Sequence, residues 1–234
     1  MKKLVLLLCI VLFALNVNAQ YCGTSSSTTY INNQDELDSL AGCTELLGHW
    51  HFSGSNYTNT TALANIESVE KSLRFNSFSG PFSLDMPSLI SVGDDFQIEY
   101  SSLNIINFPN LFTAPNSFSI YDNNIDSLNF DNLYNISSIY IGYNNAISDN
   151  TIELNTFNNI NDLQTIQINY NNNLTHIGGF SSLSSIDNLL VNNNPQLESC
   201  CMLLDLASIT SSNTNINSNG NPCFSLLDIG LNCD

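Results

Sequence analysis

Pairs of apolar residues separated by one position recur along most of this chain. Seven such pairs stand at Trp50/Phe52, Leu73/Phe75, Phe96/Ile98, Phe118/Ile120, Ile139/Ile141, Ile166/Ile168 and Leu189/Val191. Their first members are 23, 23, 22, 21, 27 and 23 residues apart. Apolar–polar–apolar triplets are the pattern of half-buried strands, and one short strand per roughly 20–30 residues is typical of a solenoid. The pattern predicts a mainly β chain of about six to seven parallel coils.

Asparagine clusters follow several of these strands at the same phase of the repeat. They stand at Asp122-Asn123-Asn124, Asn144-Asn145, Asn169 to Asn173 and Asn192-Asn193-Asn194. Asparagine hydrogen-bonds nearby backbone groups and tolerates left-handed backbone angles, so it suits tight corners. A compositional bias toward asparagine is the alternative, but bias alone does not explain a fixed phase. We therefore predict corners at which asparagines stack from coil to coil.

Two features depart from the simple period. The interval of 27 residues predicts an insertion within Gly142–Asn161. Gln34–Ala41 and Met202–Ser208 lack strand alternation and are predicted to be short helices, the first with Asp35 and Glu36 where the helix dipole favours anions.

The N-terminus has the pattern of a secretion signal. Lys2 and Lys3 precede the apolar run from Leu4 to Leu15, and Ala19 ends a suitable cleavage site. We expect residues 1–19 to be a signal peptide and residues 20–234 a single domain, with an N-terminal cap at 22–48, repeats at 49–199 and a C-terminal cap at 200–234. The mature protein is then secreted or in the cell envelope. No later stretch has the roughly 18 consecutive apolar residues that a membrane span takes.

The charge balance is strongly acidic. The formal net charge is −17, and loss of Lys2 and Lys3 with the signal would make it −19. A polyanion repels phosphate backbones and anionic membrane surfaces, so nucleic acid is excluded as a partner. Acidity also serves solubility, and it favours cations or basic proteins over anions.

The cysteines lie at the two ends of the chain. Cys9 belongs to the expected signal, which leaves Cys22 and Cys43 at one end and Cys200, Cys201, Cys223 and Cys233 at the other. An even number in an exported chain predicts disulfides, and the open ends of a solenoid need caps. We expect Cys22 to pair with Cys43. Since adjacent cysteines bond poorly, the other four pair either as 200–223 with 201–233 or as 200–233 with 201–223. A zinc site is the alternative, without supporting histidine or paired spacing.

The end motifs resemble the receptor L domain, the leucine-rich-repeat-like unit of insulin and epidermal growth factor receptors. The resemblance lies in Gln34-Asp35-Glu36-Leu37-Asp38 with Gly42 to Gly48, in Asn193 to Cys201, and in Gly220-Asn221-Pro222-Cys223 with Asn232-Cys233. The C-terminal motifs look like the cap of single-domain versions in exported bacterial proteins, notably of Bacteroidetes, and the resemblance covers roughly residues 22–233. It implies a right-handed β-helix and an extracellular recognition role. No ligand-contact residue carries over.

No catalytic constellation or cofactor motif is evident, so we expect a non-enzymatic protein without cofactor or metal. Asp94 and Asp95 are adjacent and point to opposite faces of a strand, while Glu99 shares the face of Asp95 and forms at most a cation pair. His49 and His51 share the outward face, and a third metal ligand is missing. A carbohydrate-active β-helix enzyme, with converging carboxylates, and a structural surface adhesin are the competing functions.

Stacked repeats align one outward residue per coil, and such extended surfaces are where solenoids bind partners. The predicted binding face consists of His51, Arg74, Gln97, Ser119, Tyr140, Gln167 and Leu190, with Glu99, Tyr121 and Asn169 in the neighbouring column. Tyr121, Tyr140 and Leu190 are its most informative members, because exposed aromatic and apolar side chains supply most interface energy. The sequence therefore predicts an exported interaction module for an unknown protein or carbohydrate.

Overall fold

The computed structural model describes residues 20–80, 83–144, 152–154 and 156–233; the expected signal peptide at 1–19 lies outside these ranges. Strands occupy 43% of these residues and helices 11%. The strands are β1 Tyr21–Ile31, β2 Glu45–Gly54, β3 Ser68–Val69, β4 Leu73–Phe78, β5 Ser83–Asp85, β6 Ser91–Val92, β7 Phe96–Glu99, β8 Ile105–Asn107, β9 Ser117–Tyr121, β10 Ser127–Asn129, β11 Ser138–Gly142, β12 Ile152–Leu154, β13 Asp162–Asn169, β14 Leu174–Ile177, β15 Ser185–Asn192 and β16 Thr210–Asn217. The helices are α1 Gln34–Asp38, α2 Met202–Ser208 and α3 Leu226–Asn232, with a 3-10 turn at Thr61–Leu63.

A single large parallel sheet runs the length of the molecule. Its strand order is β16-β15-β13-β11-β9-β7-β4-β2, with β1 on the other side of β2, and β3 and β6 continue from the first residues of β2. Two smaller parallel sheets, β5-β8-β10 and β12-β14, lie on another side of the coil. Because each strand pairs with its equivalent one coil away, the chain is a β-solenoid of about eight turns, which confirms the predicted fold class.

The predicted strand register is confirmed. In β11, Ile139 pairs with Phe118 on one side and Ile166 on the other, and the same alignment holds along the sheet. All members of the seven apolar pairs are at most 3% exposed. Alternating side chains thus place these pairs in the core and the residue between them on the outside.

Phenylalanine rings fill the opposite side of the core. Phe108, Phe130, Phe157 and Phe180 stand one coil apart, with successive ring centroids 5.4, 6.5 and 5.5 Å apart and near-parallel planes. Offset stacking of this kind adds to the energy of burial. This second apolar column follows the same period as the strand pairs.

The asparagine ladder is present as predicted. Asn123, Asn144, Asn171, Asn194 and Asn219 are all buried. The backbone N–H of each of the first four donates to the side-chain oxygen of the next at 3.0–3.1 Å, and each Nδ2 donates to the same oxygen at 2.9–3.3 Å. The Nδ2 groups also donate to strand carbonyls, as Asn171 does to Ile141 at 3.1 Å. The ladder satisfies buried polar groups at a corner that belongs to no sheet.

The 27-residue repeat leaves the strands before and after it in register. Ile139 pairs with Ile166, and Asn144 bonds to Asn171, 27 residues further on. Part of the predicted insertion at Gly142–Asn161 lies outside the described residues. The extra length is thus accommodated without a shift of register.

Three disulfides join the cysteines at the ends. Cys22 bonds Cys43 as predicted, and of the two open alternatives the structure has Cys200–Cys223 with Cys201–Cys233. The Cα atoms of the pairs are 5.5–6.0 Å apart, which is usual for disulfides. Bridges of this kind indicate an oxidising environment.

The ends contain more regular structure than the pattern predicts. Helix α2 has the predicted bounds, and α1 begins at Gln34 but ends at Asp38, after which Gly42 turns the chain with a φ of 97°. Strands β1 and β16 and helix α3 were not predicted. The two strands extend the solenoid beyond the six to seven coils that the apolar pairs predict, because they pair with a neighbour through backbone atoms without an apolar pair of their own.

Candidate functional site

The predicted face is a continuous set of aligned positions. In the central column, His51 pairs with Arg74, Arg74 with Gln97, and the register continues through Ser119, Tyr140 and Gln167 to Leu190. In the neighbouring column Glu99, Tyr121, Gly142 and Asn169 follow one another. The structure therefore brings together all ten predicted residues on one side of the large sheet.

This face is less exposed than a bare sheet. Ser119 is buried at 7% exposure and donates to Glu99 Oε1 at 2.8 Å, whereas Tyr121, Tyr140 and Leu190 are half-buried. Ser119 is outward-facing but buried, since its short side chain lies between the longer Gln97 and Tyr140. Further aromatic residues lie beside these half-buried tyrosines.

Near the N-terminal end, His51 lies in a restricted polar environment. The His51 and Tyr30 ring centroids are 5.4 Å apart, and His51 Nε2 is buried without a hydrogen-bond partner. Removal from water and then the Arg74 charge lower the pKa of His51. His49 Nδ1 lies 3.2 Å from Ser72 Oγ. Within the described ranges, no three His, Cys, Asp or Glu side chains form a group that could hold a metal ion.

The carboxylates that sequence analysis singled out contact neighbouring coils. Asp95 forms an ion pair with Arg74 at 3.1 Å and accepts from Ser117 at 3.0 Å. Asp94 accepts hydrogen bonds from Ser72 and Asn116. These contacts link side chains one coil apart and so contribute to the stacking of the repeats.

Four tyrosines form an aromatic cluster along one edge of the face. The tyrosine cluster consists of Tyr100, Tyr121, Tyr143 and Tyr170, and its successive ring centroids are 5.6, 4.9 and 4.6 Å apart. Tyr100, Tyr143 and Tyr170 are 53%, 42% and 44% exposed. Sequence reasoning found Tyr121 but missed the other three, because they lie just beyond the strands, where the alternation rule no longer applies.

The backbone at this edge is left-handed in seven successive coils, from Ser77 to Ser218. Tyr100, Tyr143 and Tyr170 have φ angles of 53°, 58° and 59°. The equivalent corner positions in other coils are Ser77, Asp122, Asn193 and Ser218, with φ of 52–57°. Asparagine and aspartate tolerate this region well, whereas a bulky aromatic residue there is unusual. The detectable signal is a tyrosine that directly precedes an asparagine or serine at the strand end.

Gly142 makes room for the cluster. A Cβ atom built on Gly142 would lie 3.4 Å from Tyr121 Cδ2 and 3.2 Å from the Asn169 carbonyl oxygen. The Tyr121 ring therefore leans over a position without a side chain, toward Tyr143. Partial removal from water, and then the neighbouring Tyr143 and Tyr100 phenols, raise the pKa of Tyr121.

A depression of about 250 Å³ lies in the middle of this edge. Its lining contains tyrosine rings, primary amides and backbone, and no charged side chain; it consists of Tyr121, Tyr140, Ile141, Gly142, Tyr143, Gln167, Asn169 and Tyr170. We call it the tyrosine depression. It joins the predicted face to the tyrosine cluster.

A second exposed aromatic pair lies at a different corner of the coil. Phe112 and Tyr134 are 49% and 47% exposed, with ring centroids 5.4 Å apart and near-parallel planes. Ile90 precedes them one coil earlier and is also exposed. This pair matches the cluster in chemistry but not in location.

Comparisons with protein-family models, curated proteins and solved structures find no match for this chain. None of the helices within the described ranges is long and apolar enough to cross a lipid bilayer.

Proposed function

We propose that this protein is an exported, non-enzymatic binding module that recognises its ligand through the outward face of the large parallel sheet. One observation carries the proposal: tyrosines recur in adjacent coils at the edge of this face and remain exposed despite their size. Tyrosine supplies large contact area at low entropic cost and is enriched where proteins bind partners.

Three further features support export and recognition. The N-terminal pattern is that of a secretion signal, and three disulfides fit an oxidising compartment. The end motifs resemble receptor L domains, which recognise extracellular ligands. We therefore propose a recognition domain of this type that is secreted or located in the cell envelope.

The test uses components of the native envelope and medium as the probe. Immobilised protein retains a set of proteins or polysaccharides, each identified and then measured again in purified form. We expect Tyr121→Ala/Tyr140→Ala to lose binding at least tenfold and Phe112→Ala/Tyr134→Ala to retain it. The second pair removes two exposed aromatic side chains from another corner and is the matched control. Equal binding by both folded variants would contradict recognition through this face.

A further inference from the structure

We infer that the tyrosine depression binds a neutral, extended glycan. This rests on the proposed function and names the ligand of the same face. The lining has only two kinds of side-chain chemistry that can contact a ligand: the phenol rings of tyrosine and the amides of Gln167 and Asn169. A sugar ring has the complementary composition, with C–H groups on its faces and hydroxyl groups around its edge.

The polar groups of the lining suit hydroxyls better than ions. An amide and a phenol each both donate and accept hydrogen bonds, as a sugar hydroxyl does. A bound phosphate, carboxylate or ammonium group would find no opposite charge in this lining. A net charge of −17 further disfavours acidic saccharides. The ligand class that remains is a neutral saccharide.

The size of the depression limits what enters it. Its volume of about 250 Å³ is below the roughly 300–1,000 Å³ of pockets that enclose drug-sized ligands. One sugar ring fits, and the rest of an oligosaccharide must lie along the surface. Affinity should therefore rise with the number of sugar units.

Beyond the depression, the neighbouring column has further amide side chains. Asn169 pairs in register with Asn192 and Asn192 with Asn217, so a row of amides leads toward the C-terminal end. Neighbouring strands lie roughly 4.7–4.9 Å apart, which is close to the length of one unit in an extended β-1,4-linked glycan. Successive sugar units can therefore meet successive coils. A helically coiled α-1,4-linked chain cannot keep this alignment.

The backbone at the cluster also supports a role for the rings. Among the described residues, the other left-handed corners of the solenoid have Ser, Asp or Asn, including Asp122 between Tyr100 and Tyr143; of the three corner tyrosines, Tyr143 and Tyr170 line the depression. Tyrosine is disfavoured in this conformation, so its recurrence at Tyr100, Tyr143 and Tyr170 indicates that the side chain serves a purpose other than the turn.

The experiment titrates the purified protein with defined hexasaccharides by calorimetry and saturation-transfer NMR. The neutral β-1,4-linked probes are cellohexaose, mannohexaose and xylohexaose. Maltohexaose tests the linkage, and a β-1,4-linked mannuronate hexamer tests the charge. We expect saturable binding of at least one neutral β-1,4-linked probe, at least tenfold weaker binding of maltohexaose and of the mannuronate, and weaker binding of the corresponding disaccharide.

Two variants locate the binding. Tyr143→Asn/Tyr170→Asn should weaken it at least tenfold, since asparagine keeps the left-handed turn but removes both rings. Phe112→Ser/Tyr134→Ser should stay within about twofold. Gly142→Val keeps every tyrosine but displaces the Tyr121 ring, and it should also weaken binding. Circular dichroism and melting curves confirm that each variant is folded; if the tyrosine double variant does not fold, Gly142→Val decides.

The outcomes separate this inference from the proposed function. No saturable binding of any neutral β-1,4-linked probe, or equal binding of maltohexaose, would overturn the glycan assignment. So would unchanged affinity in the tyrosine variant. If an envelope protein binds through the same tyrosines while no glycan does, the glycan assignment fails and the binding face stands. If no ligand depends on the tyrosines, both fail.

Discussion

At the scale of single residues, the buried asparagines have the most demanding environment. Asn123 Oδ1 accepts from the Ser101 N–H at 3.1 Å, and its Nδ2 donates to the Ile98 and Tyr121 carbonyls at 3.0 Å. Truncation leaves these backbone groups without partners, and each unsatisfied buried group costs about 1–3 kcal/mol. The ladder corners therefore depend on asparagine itself rather than on polarity in general.

We expect Asn123→Ala to lower the free energy of unfolding by about 3 kcal/mol or more, as measured by urea denaturation. Asn124→Ala is the matched control: the next residue, half-buried in the same corner, should lose less than about 1 kcal/mol. Similar losses in the two variants would show that the ladder bonds contribute little.

Tyr143 should be replaceable without loss of stability. Its left-handed conformation costs about 1 kcal/mol or more, while contacts with the Tyr121 and Tyr170 rings return about 0.5–1.5 kcal/mol each. Since these terms nearly cancel, Tyr143→Asn should change the free energy of unfolding by less than about 1 kcal/mol. Ile141→Asn, two residues earlier and buried, should cost about 3 kcal/mol or more. A comparable loss at Tyr143 would mean that the ring has a structural role.

The environment of His51 predicts a dependence of stability on pH. Its folded-state pKa is lowered, by desolvation first and by Arg74 second, so the folded protein favours the neutral ring. This contribution is complete above the unfolded pKa of about 6.5 and is lost as the pH falls through the folded pKa. We expect the melting temperature to fall less between about pH 7.5 and about pH 5 in His51→Gln than in the wild type.

Gln97→Asn is the control, because Gln97 lies two coils further along the same column and has no titratable group. It should follow the wild-type curve. An unchanged pH dependence in His51→Gln would assign the acid sensitivity to other groups.

At the scale of elements, the first strand depends on a covalent bond more than on apolar burial. Strand β1 has exposed residues along most of its length, and the Cys22–Cys43 disulfide connects it to the chain just before β2. A bridge across 21 residues stabilises by about 3 kcal/mol through the unfolded state. The first strand therefore owes much of its order to this bond.

Cys22→Ala/Cys43→Ala should lower the free energy of unfolding by about 2–4 kcal/mol and expose the amides of β1 to hydrogen exchange. Mass spectrometry of a non-reduced digest should recover peptides for 22–43, 200–223 and 201–233. A free thiol on Cys43, or a 201–223 peptide, would contradict this connectivity.

The sequence predicted the structure correctly where the type of a single side chain is enough to place that residue. Trp50 and Phe52 could be assigned to the core because strand alternation leaves them no other place, and Asn171 could be assigned to a ladder from its phase. The sequence did not predict strand β16, because its mostly polar residues join the sheet through backbone pairing with β15 and not through an apolar pattern. It also missed Tyr143 and Tyr170, because the left-handed corner places residues outside the strand alternation.

At the scale of the whole molecule, the repeats behave as interchangeable units. Phe96 and Phe118 pair with each other and are 22 residues apart, so residues 96–117 make one coil. Duplication of 96–117 should add a coil without a change of register and increase the urea m-value, since more surface is exposed on unfolding. Duplication of 96–106 adds half a coil and displaces the later apolar pairs, so that variant should fail to fold cooperatively. An equally stable half-coil variant would refute the repeat assignment.

The stacking direction also determines how the protein responds to tension. Hydrogen bonds of the sheets and of the asparagine ladder run along the solenoid axis, so a pull on the two ends loads one layer at a time rather than all layers together. Each coil of 22 residues then releases roughly 70–80 Å of chain when it yields. The terminal disulfides shorten the first and last steps, because they keep the chain between the bonded cysteines closed. A domain built in this way extends in small successive steps under load and gives way gradually instead of breaking at once.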